Sequence, residues 1–301
     1  MTSKIKMALI ACIFSMIAYA QSPVKKLFPE STIFHENINY AGDTLKKHML
    51  DVYLPPPTSR FPPLIIWVHG GAWMLNDKYA DMGYMKHTVR SFIEKGYALA
   101  SIDYRHTTTE AFPANIQDCN RAIQYLYNNA AKYGYDKSRI ALVGFSAGGH
   151  LASLIGLSAN NKMTDFYHNG KAGNFKISSV IDFYGPADLI AFGSDSSINQ
   201  PKEPITILLG ATPVDRPDLA RRASPVTYVD KNDPPFLIIH GEKDASVPNT
   251  QSRYLDSWLR LAGVPCKLIL VPGAPHYGEM FDEEWIRREV FLFLDRTTKK
   301  Q

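Results

Sequence analysis

Residues 139–152 read RIALVGFSAGGHLA. The apolar run from Ile140 to Val143 leads into Gly144-Phe145-Ser146-Ala147-Gly148, and a helical pattern of small and apolar residues opens at Ala147. G-x-S-x-G needs this setting. A sharp strand-to-helix turn holds the serine in a strained backbone and exposes its hydroxyl, while small neighbours let adjacent backbone pass close by. The competing reading is the glycine-rich turn of a dinucleotide-binding crossover, but no G-x-G-x-x-G follows the first strand of the alternating series.

Outward from the turn, short apolar runs alternate with helical patterns. Residues 64–68 (LIIWV), 97–104 (YALASIDY), 139–145, 180–183, 235–240 (PFLIIH) and 267–271 (KLILV) suit strands buried on both faces of a parallel sheet. Helical spacing occupies 85–95, 113–133, 249–261 and 283–294, with Pro113 fitting a first turn and Gly134 an end. Residues 48–55 alternate, as an early antiparallel edge does. Residues 189–225 form a Pro- and Ser-rich insertion with a short helix at 205–210, the kind of segment that serves as a lid or binding loop. The expected fold is α/β: one doubly wound, mostly parallel sheet with helices on both faces, in a single domain over residues 21–301.

A serine hydroxyl needs a general base, and the base needs an orienting acid. His276, in the PGAPHYG loop (272–278) between the last strand and the last helix, is the expected base. His240 ends the preceding strand and reads as structural. His150 lies on the helix after the serine, and His69 shapes its own loop. The acid should leave the preceding strand's loop, between serine and histidine in chain order. Asp244 in HGEKDASVP (240–248) fits, with Glu242 the competitor. HGGAW (69–73) follows the 64–68 strand, and its glycines can aim backbone N–H groups into a cleft. Gly70, Gly71 and Ala147 are the expected oxyanion donors, each worth about 3–4 kcal/mol in enzymes from which one was removed. Trp73 either lines the substrate pocket or packs beneath the loop. No H-E-x-x-H and no Cys/His pairs at ligand spacing occur, so no metal and no cofactor are expected.

Composition excludes other classes. The chain has 301 residues, 45% hydrophobic and 21% charged, long enough to bury a core without staples. Lys4 and Lys6, then an apolar stretch over 7–19 and Ala18-Tyr19-Ala20, have the layout of a secretory signal peptide cleaved after Ala20. An uncleaved anchor is the alternative, and residues 9–12 (LIAC) also resemble a lipobox. Without the leader the formal charge of +4 falls to +2, too weak a field to suggest nucleic acid as a partner. No later run has membrane length. A secreted or periplasmic protein with no membrane span after cleavage is expected. Cys119 and Cys266 remain as small buried hydrophobes.

With Ser146, Asp244 and His276 in this order, the chain resembles the α/β-hydrolase superfamily. More narrowly, it is similar to secreted bacterial carboxylesterases of the feruloyl/acetylxylan esterase-like (BD-FAE-like) and hormone-sensitive-lipase types. The resemblance rests on HGGAW, DYR (103–105), GFSAGGHLA (144–152), FYGPADL (183–189), SPVTYV (224–229), PPFLIIHGEKDASVP (234–248) and VPGAPH (271–276). It implies ester hydrolysis through a Ser-His-Asp acyl-enzyme mechanism without cofactor, on small-molecule or carbohydrate-linked esters. Ala72 stands where the lipase-type pattern has a third glycine, which favours the feruloyl/acetylxylan-like branch. Ala274-Pro275 replaces a more usual glycine before the base. Asp103-Tyr104-Arg105 reads as architectural. The alternatives are an amide hydrolase on the same scaffold, either an arylformamidase or a serine exopeptidase, and an inactive hydrolase-fold binding protein.

Overall fold

A computed structural model describes residues 22–161, 163–194 and 203–299. The segment read as a leader, residues 1–20 with Cys12, lies outside the described residues. Among the described residues eight strands form one sheet: β1 (Ile33–Asn39), β2 (Met49–Leu54), β3 (Pro63–Val68), β4 (Ala98–Ile102), β5 (Asp136–Phe145), β6 (Ser179–Phe183), β7 (Phe236–Gly241) and β8 (Cys266–Val271). Their order across the sheet is β1-β2-β4-β3-β5-β6-β7-β8. β1, β2 and β4 pair antiparallel, and every pairing from β4 to β8 is parallel.

The helices are α1 (Lys86–Glu94), α2 (Ala114–Asn128), α3 (Ala130–Tyr133), α4 (Ala147–Ser158), α5 (Leu189–Ser194), α6 (Glu203–Leu209), α7 (Pro217–Arg222), α8 (Thr250–Leu261) and α9 (Glu284–Thr298). Alternate residues of β3 serve opposite cores. Leu64, Ile66 and Val68 pack with Ile116 of α2, Leu151 of α4 and Leu255 of α8. Ile65 and Trp67 pack with Phe92 of α1 and Val290 of α9. This two-sided burial is why the strand reads as an unbroken apolar run. Among the described residues no helix is long and apolar enough to cross a membrane.

Three expectations change. The antiparallel edge is β1, absent from the sequence reading, and β2 lies inside between β1 and β4. The helix expected over 113–133 is two, because Asn129 caps α2 and Gly134, at φ 81°, closes α3 in the left-handed region. Among its described residues the insertion holds three short helices, and its ends are tied by the Leu189 N–H donating to Ser224 Oγ at 2.9 Å.

The chain crosses from β3 to β4 on one side and returns past β3 to β5. Ligand sites of open α/β sheets lie at the strands' carboxyl ends beside such a reversal. The loops after β3, β5, β6, β7 and β8 all open there.

Candidate active site

At the end of β5, Ser146 has φ 53° and ψ −118°, a conformation open mainly to glycine. The flanking glycines permit the turn. A Cβ on Gly144 would lie 2.1 Å from the Gly148 carbonyl oxygen, and one on Gly148 would lie 2.1 Å from that of Val68. The Ser146 N–H donates to Phe183 O at 2.8 Å, fixing the turn against β6.

The three distant side chains meet. Ser146 Oγ lies 2.9 Å from His276 Nε2, and His276 Nδ1 lies 2.6 Å from Asp244 Oδ2. A carboxylate on Nδ1 fixes the proton there and leaves the Nε2 lone pair facing the hydroxyl. Asp244 Oδ1 accepts the N–H groups of Ser246 and Val247 at 2.8 and 2.9 Å. Burial pushes the Asp244 carboxyl up, but hydrogen bonds from His240 and His276 overcome this and hold it well below the usual carboxylate range. Glu242 is exposed and accepts the Gly273 N–H at 3.1 Å, away from the imidazole.

His240 does more than end a strand. Its Nε2 lies 3.0 Å from Asp244 Oδ2 and 2.8 Å from Val247 O, both acceptors, so Nε2 carries the proton. Its Nδ1 then accepts from Ser252 Oγ at 2.6 Å. Asp244 thus takes two imidazole N–H groups, a role the strand-end position did not reveal.

The oxyanion loop departs from expectation at Gly70. Its N–H donates to Asp81 Oδ2 at 2.7 Å and is not free to meet an oxyanion. The N–H groups of Gly71, Ala72 and Ala147 have no partner among the described residues, and all three residues border the cavity. Ala147 opens α4, whose N-terminal dipole adds positive potential there. The unpaired N–H groups beside Ser146 are therefore those of Gly71, Ala72 and Ala147, whereas Gly70, Gly71 and Ala147 were expected. Nothing in HGGAW signals this, because the acceptor that occupies Gly70 lies eleven residues on.

Trp73 is buried, and its Nε1–H donates to His150 Nδ1 at 3.1 Å while its residue also borders the cavity. Trp73 therefore both packs in the core beneath the loop and borders the cavity. His150 Nε2 donates to Ala223 O at 2.7 Å, and burial pushes the imidazole down to about 4. His69 donates from Nδ1 to Gly70 O at 2.7 Å and stacks on Tyr104, its imidazole pushed down by burial to about 3. Arg105 forks onto Asp118 with two 2.7 Å bonds, and Asp103 accepts from Lys47 and the Lys78 N–H, so the DYR segment ties loops together.

These groups open into a cavity of about 790 Å³. Phe192, Pro204 and Ile205 bring the insertion to its wall. Among the described residues no group of His, Cys, Asp or Glu is placed to hold a metal ion. Cys119 and Cys266 are free thiols.

The BD-FAE family model matches residues 50–259. Esterase LipQ of Mycobacterium tuberculosis is 34% identical over 226 residues, which cover 72% of this chain and 51% of LipQ. Esterase LipC of the same organism is 32% identical over 256 residues, covering 83% of this chain and 61% of LipC. The chain thus spans little more than half the length of these curated relatives. The structure of a truncated carbohydrate esterase from gut microbiota superposes with a TM-score of 0.80 at 33% identity, covering 91% of this chain and 99% of that one.

Proposed function

Because the chain belongs to the BD-FAE family, with the α/β-hydrolase fold, we propose that it hydrolyses carboxylic esters through an acyl-enzyme on Ser146. The observation that carries this reading is the unbroken contact from Asp244 through His276 to Ser146 Oγ, at 2.6 and 2.9 Å, at the wall of the cavity. Ser146 Oγ bonds to the ester carbonyl carbon while its proton passes to His276 Nε2. Negative charge gathers on the carbonyl oxygen, facing the N–H groups of Gly71, Ala72 and Ala147. Fixed donors in a site closed to bulk water supply the largest share of such catalysis. The carbonyl re-forms, the C–O bond to the alcohol breaks, and His276 gives its proton to the leaving oxygen. Water then repeats the sequence against the acyl-enzyme, releasing the acid and restoring the serine.

The substrate class proposed is small acyl or aryl esters, including those borne on carbohydrate. The carbohydrate-esterase relative supports the second part. Export under the leader over residues 1–20 accords with an extracellular polymer as the source. Ser146→Ala should abolish turnover of a short p-nitrophenyl ester while leaving the circular dichroism spectrum unaltered. Wild-type rates in that variant would overturn the reading. Rates on acetylated xylan, methyl ferulate and an N-formyl aryl amide would then order the substrate classes.

A further inference from the structure

The loop that leaves β3 for α1 is locally unfavourable. Ala72, Trp73, Asn76 and Asp81 all have φ between 51° and 72°, and Gly71 has φ 120°. Each such non-glycine backbone conformation is unfavourable and persists only where its surroundings over-determine it. The oxyanion donors Gly71 and Ala72 lie within this stretch, so whatever holds it sets their aim.

Asp81 is placed to hold it. Oδ2 accepts the Gly70 N–H at 2.7 Å, and Oδ1 accepts the Tyr84 hydroxyl at 2.7 Å. Tyr84 has spent its proton on Asp81, so the 2.7 Å contact between the Tyr84 and Tyr184 hydroxyls is donated by Tyr184. Tyr184, itself at φ 46°, follows β6, and its ring centroid lies 4.9 Å from that of His276. Contact is thus continuous from the oxyanion loop to the base. Asp81 is half-buried, and its partial removal from water raises its carboxyl above the ordinary range although Gly70 and Tyr84 donate to it.

We propose that Asp81, Tyr84 and Tyr184 act as a clamp that sets the oxyanion donors relative to His276, with Asp81 its central positioning residue. The inference rests on Ser146 being the nucleophile. A clamp of this kind acts on the charge that develops during reaction and leaves ground-state binding largely untouched.

The test compares Asp81→Ala, Asp81→Asn and Tyr84→Phe with wild type on a short p-nitrophenyl ester. A trifluoromethyl ketone, whose adduct with Ser146 carries an oxyanion, serves as the second probe. Asp81→Ala should lower kcat about 100-fold, with KM changed less than about threefold, and weaken the ketone in proportion to kcat/KM. Tyr84→Phe should do the same about tenfold, having lost one hydrogen bond to a charged group. Asp81→Asn, which keeps an acceptor for Gly70, should recover most of what Asp81→Ala loses. Variants that lower thermal stability yet keep the wild-type ratio of ketone affinity to KM would reduce the three residues to scaffolding and overturn the clamp. If Asp81→Ala does not fold, Tyr84→Phe decides alone, and an unchanged ratio overturns the proposal. Ser146→Ala in the same assay separates the two claims. Its full activity would sink the nucleophile, whereas an inactive Ser146→Ala beside unaffected clamp variants would sink the clamp alone.

Discussion

Replacing Ser146 with alanine and, separately, with glycine isolates the strain stored at the turn. Both variants lose the hydroxyl and its 2.9 Å contact with His276, so that loss cancels between them. What differs is the backbone at φ 53° and ψ −118°, which alanine must still adopt and glycine adopts freely. Relief of such strain is worth about 1–3 kcal/mol, and glycine gives back roughly 0.5–1 kcal/mol through the greater freedom of its unfolded chain. The net is about 0.5–2 kcal/mol in favour of glycine. The N–H donated to Phe183 O is present in both and does not enter. Urea unfolding followed by tryptophan fluorescence should place the glycine variant's midpoint above that of the alanine variant. A scan should show its Tm higher by about 2–4 °C for each kcal/mol. Neither variant turns over ester. A glycine variant no more stable than the alanine one would show that the turn is not strained, and the account of how this serine is presented to the cavity would fail.

Two further outcomes are expected. His150, pushed down to about 4 from an ordinary 6.5, is neutral in the fold while the unfolded chain takes up a proton. The unfolded state therefore binds more protons between those values, and folding loses stability as pH falls through them. For this one group the loss is about 1.5 kcal/mol between pH 6.5 and pH 5. Asp233, raised to about 7, titrates in the opposite sense, so the measurement is the difference between wild type and His150→Gln. The wild type's advantage should shrink by that amount on acidification, and a constant advantage would contradict the burial argument. His240→Ala removes one of the two imidazole donors to Asp244 Oδ2. One charge-assisted hydrogen bond of about 1.5 kcal/mol felt at the acid lowers kcat roughly tenfold. An unaltered kcat would reduce His240 to core packing.

How much of this was legible follows from how local each signal is. Residues 140–145 declare a strand buried on both faces, and Gly144 and Gly148 declare close backbone approach, because the cause of each pattern lies in the same few residues. β1 was invisible. IFHENIN is half-buried at the sheet's rim, carries His35 and Glu36, and has a register shift between His35 and Ile38. Its apolar signal is therefore weak in any window. Without β1, β2 reads as an edge, since its own alternation does not say what pairs outside it. The break at Asn129 escaped notice because apolar spacing continues through Ala130 and Tyr133, both buried.

Within the site, chain order and strand-end position were enough to nominate Ser146, His276 and Asp244. The partner of Gly70 was not legible, because a backbone N–H has no side-chain identity to pattern. Asp81 reaches it only when the strained loop folds back. His240 escaped for a related reason. Its strand-end position fits a structural residue, and only the folded chain turns Nε2 to the acid.

The most direct test of the central claim is to quench the enzyme during turnover of a p-nitrophenyl ester and digest it for mass spectrometry. The account predicts one acyl increment on the peptide containing Ser146, formed as a burst and lost on standing, and absent from Ser146→Ala. Steady hydrolysis with no acylated peptide, or acylation at another residue that persists in Ser146→Ala, would contradict it.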